Sequence, residues 1–307
     1  MNLLSIREME KGDIDRLLKS AASMKKASLA GDRQPSYTDK TVGLLFFEDS
    51  TRTRVGFEMA ARKLGMGFTS FGVKGSSMSK GESLKDTVLT LKNEGVDGLV
   101  IRHEAAGAPN VAARFFDGPV INAGDGMHEH PTQALADAMT ILEHRKKLEG
   151  LVVSIVGDVM HSRVARSNIW LLSKMGAQVR LVAPRTLMPP YKELIPAEFH
   201  YGLKTGLDGA DVVMCLRMQM ERMESGLISS LGEYASMYQV NGSTLRYAKA
   251  EALVMHPGPV NRGLELDDLT VDGKQSVINS QVENGVYVRM AVFDAVFAKK
   301  VAAKKKK

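Results

Sequence analysis

The chain has 307 residues, 44% of them apolar, enough for the cores of two domains of ordinary size. Its net charge of +6 invites a nucleic-acid reading, but Lys299, Lys300, Lys304, Lys305, Lys306 and Lys307 supply six of those charges and leave the rest about balanced. The single cysteine, Cys215, excludes an intrachain disulfide and a cysteine-rich zinc module, and no run reaches the ~18 uncharged apolar residues of a membrane helix. The N-terminal segment, with Arg7, Glu8, Glu10 and Lys11, lacks the apolar core of a secretion signal, so a soluble cytoplasmic protein with no membrane partner is expected. No RNA-binding or zinc-finger signature, repeat or low-complexity linker is present, and the last four lysines read as a frayed tail. Nucleic-acid binding through that tail is kept as an alternative of a different class.

In chain order, Asp13 is expected to cap a helix in which Ile14, Leu17, Leu18 and Ala21 follow the 3.6-residue period. Residues 41–47 read as a strand and the segment that ends at Leu64, with Gly65 behind it, as a helix. At their junction stand Ser50, Thr51, Arg52, Thr53 and Arg54. Ser50 or Thr51 suits the N-cap, and the amides of the first turn have no partner inside the helix. Arginine has the wrong sign for the positive end of a helix macrodipole, at a cost of roughly 0.3 to 1 kcal/mol per exposed charge. Two arginines there make sense if a phosphate dianion takes hydrogen bonds from amides, hydroxyls and guanidinium forks together. A solvated helix start with two snorkelling arginines is the competing reading.

A strand at 68–71 leads into a loop through Ser76, Ser79 and Lys80, where Lys80 by itself reads as a solvated lysine. Ser79 and Glu82 have the spacing of a capping box for a helix striped by Leu84, Val88 and Leu91 and stopped at Gly95. A strand at 98–101 delivers Arg102 and His103, and one at 120–122 delivers Gly124, Asp125 and Gly126, to the strand ends where open α/β sheets bind ligands. Pro131 fits the first position of a helix carrying Leu135, Met139 and Leu142, which puts His130 and Gln133 at its start. Asp125, His128 and His130 could be read as metal ligands, but no fourth ligand or second pair at zinc spacing accompanies them, and no metal is expected.

After Gly150 a second βαβ alternation begins, with a strand at 151–156, a helix at 164–175 and a strand at 179–183. Gly157, Val159 and Arg163 do not make G-x-G-x-x-G and no Walker-type loop exists, so neither NAD nor ATP is expected. A strand at 212–216 ends at Arg217, Met218 and Gln219. Another at 253–255 runs into His256, Pro257, Gly258, Pro259, Val260, Asn261 and Arg262, whose prolines and glycine forbid continued helix or central strand. A last helix at about 281–298 carries Val286, Met290, Phe293 and Phe297. Arg52, Arg54, Arg102, Arg163, Arg217 and Arg262 thus gather at strand ends and helix starts with one His and one Gln. Ser50 has no adjacent base and G-x-S-x-G is missing, so the site should hold a small, heavily anionic species and act by positioning and charge stabilisation.

The stretches FFEDSTRTR, SKGES, HPTQ and HPGPVNRG, in this order, resemble the aspartate/ornithine carbamoyltransferase family over nearly the whole chain. The HPGPVNRG loop resembles the aspartate type, since the ornithine type carries a cysteine where Gly258 stands here; ornithine is the alternative acceptor. The resemblance implies an α/β fold of two domains, each a parallel sheet flanked by helices. Residues 1–146 would bind carbamoyl phosphate and 147–280 aspartate, and the C-terminal helix, about 281–307, would return to the first domain. It further implies that Ser50, Thr51, Arg52 and Thr53 hold the phosphate, that Arg102 and His130 join Thr53 on the carbamoyl oxygen, and that Gln133 and the backbone at Gly258 and Pro259 hold the carbamoyl amine. Aspartate would fall to Arg163, Arg217 and Gln219, while Ser76 and Lys80 would reach in from a neighbouring subunit of a homotrimer. Gly56 departs from the pattern, standing where many relatives have serine. Neither metal nor organic cofactor is implied. In the family that the chain resembles, such trimers occur alone, with zinc-containing regulatory chains in a dodecamer, or with dihydroorotase, and the sequence leaves all three open. A non-catalytic homologue is the other alternative, against which every expected residue is present.

Overall fold

The computed structural model describes residues 1–72, 81–219 and 226–298. Lys11–Ala30 forms α1, which starts three residues earlier than the sequence suggests: Glu10 takes the N-cap place without a side-chain bond, and Asp13 sits in the first turn, paired with Arg16. An acid in the first turn complements the helix dipole without capping, which is why it mimics a cap in sequence. Ile14, Leu17, Leu18 and Ala21 are buried as their period requires.

In β1, Thr41–Phe46, every residue after Thr41 is buried, the mark of a strand covered on both faces. It feeds α2, Thr51–Lys63, whose N-cap Ser50 accepts a hydrogen bond from the Thr53 amide at 3.3 Å. After β2, Gly67–Gly72, comes α3, Leu84–Asn93. Its cap is Ser83, which accepts from the Asp86 amide at 3.2 Å, so Glu82 lies ahead of the helix and the expected capping box is corrected; Ser79 falls outside the described residues. Ser83 and Asp86 have the same Ser-x-x-acid spacing and directly precede the apolar stripe, so the later candidate wins. β3, Gly98–His103, α4, Ala108–Ala112, β4, Val120–Asp125, and α5, Pro131–Arg145, complete the first unit.

The second unit comprises β5, Val152–Val156, α6, Arg163–Lys174, β6, Gln178–Val182, β7, Glu198–His200, α7, Leu203–Leu207, β8, Val212–Cys215, α8, Leu231–Tyr238, β9, Leu253–Met255, and α9, Asp268–Val271. Both sheets are parallel, in the orders β2-β1-β3-β4 and β7-β6-β5-β8-β9. Strand order therefore reverses between β1 and β3 in one sheet and between β5 and β8 in the other. At such a switch point neighbouring connections leave in opposite directions and open a crevice beyond the carboxyl ends of the strands.

The last helix, α10, spans Ile278–Phe297 and begins three residues before the expected start; residues 299–307 lie outside the described ones. It packs against α1, α2 and α5 and so returns to the first unit. Phe293, fully buried, meets Phe57 of α2 edge-on at 5.6 Å between ring centroids, while Lys25 of α1 bridges Glu143 of α5 and Glu283 of α10 at 2.9 and 3.1 Å. Among the described residues no helix is long and apolar enough to cross a membrane. Phe293→Ala should destabilise the protein by roughly 3 to 5 kcal/mol, through lost burial plus the cavity left behind. Urea unfolding checks this, and a loss below about 1 kcal/mol would deny α10 its role as a brace.

Candidate active site

Both switch points open into one cleft of about 650 Å³ between the carboxyl ends of the two sheets. The first unit lines it with Ser50, Thr51, Arg52 and Thr53 at the start of α2, Arg102 at the end of β3, and His130 and Gln133 at the start of α5. The second contributes Arg163 from the start of α6, Arg217 and Gln219 beyond β8, and Pro257, Gly258 and Pro259 beyond β9. Ser76 and Lys80 fall outside the described residues. Two of the six expected arginines are not in the cleft. Arg54 is exposed and turned away, because two helical steps of about 100° carry it to the side opposite Arg52. Arg262 is bound on the surface by Asp268 and Asp272, both at 2.8 Å.

Glu48, which sequence reasoning did not single out, joins the two units. One of its oxygens, Oε2, lies 3.3 Å from Arg102 Nε and accepts from Arg163 Nη2. The only signal for it in the sequence is an acid two residues ahead of an arginine-rich helix start. Gly124 brings these guanidiniums close to the backbone: its φ is +112°, and a Cβ there would lie 3.0 Å from Arg163 Nε and 3.3 Å from Arg102 Nη1. Gly258 does the same for Arg52. With φ +69° and a cis bond to Pro259, it lies so close that a Cβ would fall 2.4 Å from Arg52 Cζ. Glu265, also missed, holds the loops that carry Arg217 and Gly258: it accepts from the Met218 amide at 2.9 Å and from the Asn261 amide at 2.6 Å.

His130 is buried, with its Nε2 3.5 Å from Thr53 Oγ1. Burial first, then the nearby charges of Arg102, Arg163 and Arg289, hold its pKa well below the usual histidine value, so the ring is neutral and can donate one hydrogen bond. Arg52 lies at the cleft mouth, its pKa lowered by partial desolvation. Asp125 and His128 bond each other at 3.1 Å, whereas His130 faces Thr53. Among the described residues no group of three or more His, Cys, Asp or Glu is placed to hold a metal ion.

Two parallel sheets that face each other across an arginine-lined cleft at their switch points define an α/β protein that binds small anions between its two halves. Residues 1–143 match the family model described as the carbamoyl-P binding domain of aspartate/ornithine carbamoyltransferase, and residues 149–296 match its Asp/Orn binding domain. The chain belongs to the aspartate/ornithine carbamoyltransferase family. It is 52% identical over 296 residues to an aspartate carbamoyltransferase catalytic subunit of Rhodopseudomonas palustris, covering 96% of this chain and 93% of that one. It is 50% identical over 297 residues to the protein of that name from Granulibacter bethesdensis, covering 96% and 94%. Among solved structures, aspartate transcarbamoylase from Trypanosoma cruzi in complex with carbamoyl phosphate superposes with a TM-score of 0.89 at 31% identity, over 97% of this chain and 96% of that one. Ornithine carbamoyltransferase from Pyrococcus furiosus superposes with a TM-score of 0.86 at 28% identity, over 96% of each.

The histidines set an acid limit on stability. His103, His130 and His256 all have pKa values lowered chiefly by burial, so between those values and the unfolded value of about 6.5 the unfolded chain binds more protons. Stability should therefore fall as pH drops below about 6.5. His128, raised by its bond to Asp125, works the other way above pH 6.5, so urea midpoints measured at pH 6.5 and 5.5 should differ in that sense, and His130→Asn should flatten the slope. A midpoint that holds or rises toward pH 5.5 would contradict the burial of these rings.

Proposed function

We propose that the protein transfers the carbamoyl group of carbamoyl phosphate to the amine of L-aspartate, giving N-carbamoyl-L-aspartate and phosphate, a step of pyrimidine biosynthesis. The observation that carries this reading is the meeting, in one cleft, of the Ser50 to Thr53 helix start with Arg163 and Arg217 from the second unit. Relatives about half identical over nearly the full chain are aspartate carbamoyltransferase catalytic subunits.

In this reading Ser50, Thr51, Arg52 and Thr53 hold the phosphate through hydroxyls, helix amides and a guanidinium fork. Thr53, Arg102 and His130 surround the carbamoyl oxygen, and Gln133 with the backbone at Gly258 and Pro259 holds the carbamoyl amine. Arg163, Arg217 and Gln219 take the carboxylates of aspartate. The neutral amine attacks the carbamoyl carbon and forms the C–N bond. Negative charge grows on the carbamoyl oxygen, where a neutral His130 donates a hydrogen bond beside the Arg102 cation. The bond from carbon to the phosphate oxygen then breaks, and the leaving phosphate takes the amine proton, which removes the need for a dedicated protein base. Catalysis of this kind is positioning and charge stabilisation, for which no metal or organic cofactor is needed.

The domain limits fitting this reading are 1–146 for carbamoyl phosphate, with the C-terminal helix returning to it, and 147–280 for aspartate. The protein works in the cytoplasm as a homotrimer in which Ser76 and Lys80 of one subunit complete the cleft of the next, alone or in a larger assembly with regulatory chains or dihydroorotase.

Two forks match two carboxylates, whereas the distal ammonium of ornithine would face Arg163 or Arg217 in a closed site and be repelled by several kcal/mol. With carbamoyl phosphate and equal concentrations of the two acceptors, carbamoyl-aspartate should form at least about a hundredfold faster than citrulline, consistent with discrimination by an unmatched buried charge. Faster citrulline formation would overturn the acceptor assignment and leave the carbamoyl phosphate half intact. The shared site has its own check. Arg52→Ala and Lys80→Ala should each be nearly inactive alone and regain activity when dissociated, mixed and reassembled, because mixed trimers contain some sites with both native residues. Mixed trimers without recovery would put the whole site in one chain.

A further inference from the structure

Behind the cleft, where α5, α6 and α10 meet, lies a carboxylate to which the reaction assigns nothing. Asp137 is fully buried, two turns along α5 from His130. Its Oδ1 accepts from Gln133 Nε2 at 2.8 Å and from Gln281 Nε2 at 2.8 Å, and its Oδ2 accepts from Asn168 Nδ2 at 2.8 Å. Gln281 can be turned only one way, because its Oε1 accepts from the His256 amide at 2.9 Å. Three amide donors converge on Asp137, which suits an ionised carboxylate with only lone pairs to offer. Burial raises its pKa, while the three donors and the charge of Arg289 act in the opposite direction. Arg289, on α10, is itself buried, with its pKa pushed down to about 10. Its guanidinium lies over the Phe57 ring and between two glycines, where a Cβ at Gly56 or Gly285 would come within 2.7 or 2.5 Å of Nη1.

Gln133 lines the cleft, and its Nε2 is committed to Asp137, so Oε1 is the end of the amide left for a ligand. We propose that Asp137 is a positioning residue for donor specificity: by capturing Nε2 of Gln133 it presents Oε1 as an acceptor for the amino group of the acyl phosphate. Through Gln281 the same carboxylate is tied to His256, at the root of the loop that carries Gly258 and Pro259. This rests on the carbamoyl phosphate assignment above. Acetyl phosphate has the same shape with a methyl group in place of the amine, and would leave the Gln133 acceptor unpaired. A site built around such a hydrogen bond rejects the analogue that lacks it.

Calorimetric titration of the whole protein with carbamoyl phosphate, acetyl phosphate and inorganic phosphate tests this without relying on turnover. The wild type should prefer carbamoyl over acetyl phosphate by at least about tenfold, the discrimination expected of one well-placed hydrogen bond. Asp137→Asn keeps the shape but adds an amide donor, so the Gln133 amide can turn over. The preference should fall to about threefold or less, with inorganic phosphate affinity within about threefold of wild type. A preference that survives, or a parallel loss of all three ligands, would overturn the role of Asp137. If Asp137→Asn does not fold, Asp137→Ser, which withdraws the carboxylate from Gln133 Nε2, is judged by the same ratio and the same phosphate control. A wild type with no preference for carbamoyl phosphate would instead overturn the functional reading on which the proposal rests.

Discussion

The constraint on which the rest of the structure depends is the convergence of four guanidiniums, Arg52, Arg102, Arg163 and Arg217, on one cleft. Like charges held at such range repel, and Glu48 is the acid set between two of them, while Asp49 and Glu104 are exposed at the rim. What keeps the cluster in place is backbone. Arg102 leaves the end of a buried strand, Arg163 opens a capped helix, and Gly124 and Gly258 let the main chain pass within contact of the guanidiniums. A site built this way is organised before any anion arrives, so little reorganisation is needed when charge develops on a bound ligand.

The second requirement is that the two units hold a fixed relation, and α10 serves it. It follows the second unit in the chain but packs on α1, α2 and α5, with Phe293 against Phe57 and Lys25 between Glu143 and Glu283. Gln281 and Arg289 on the same helix reach the buried ground beneath Gln133 and Gly56. Glu48 bridges at the cleft, where Arg102 and Arg163 meet it from the two units. The cleft is thus bounded by a brace at its back and an ion pair at its front.

Much of this was legible in the sequence because local chemistry and position coincide. The strands β3, β8 and β9 carry uninterrupted apolar runs, Ser50 is a cap by residue type, Pro131 fits a first helical turn, and the cleft arginines follow on strand ends or caps. Where the sequence misled, two local solutions competed. Asp13 and Glu10 both suit a helix start, and there the helix runs on past the apolar stripe to Glu10; Ser79 with Glu82 has the same spacing as Ser83 with Asp86, and there proximity to the apolar stripe decided. Arg54 and Arg262 looked like site residues, yet one is turned away by helical geometry and the other is bound by Asp268 and Asp272. Glu48, Glu265 and Asp137 act through partners far away in the chain, which no local pattern reveals.

The central claim, that the start of α2 is a preorganised dianion site, is met most directly by the thermal unfolding midpoint with and without carbamoyl phosphate. A ligand at about a hundred times its Kd that binds only the folded chain adds roughly 2.7 kcal/mol. For a chain of this size that corresponds to a rise of several degrees. The wild type should show this rise and Arg52→Ala should lose most of it. An unshifted wild type, or an equal rise in Arg52→Ala, would contradict the claim.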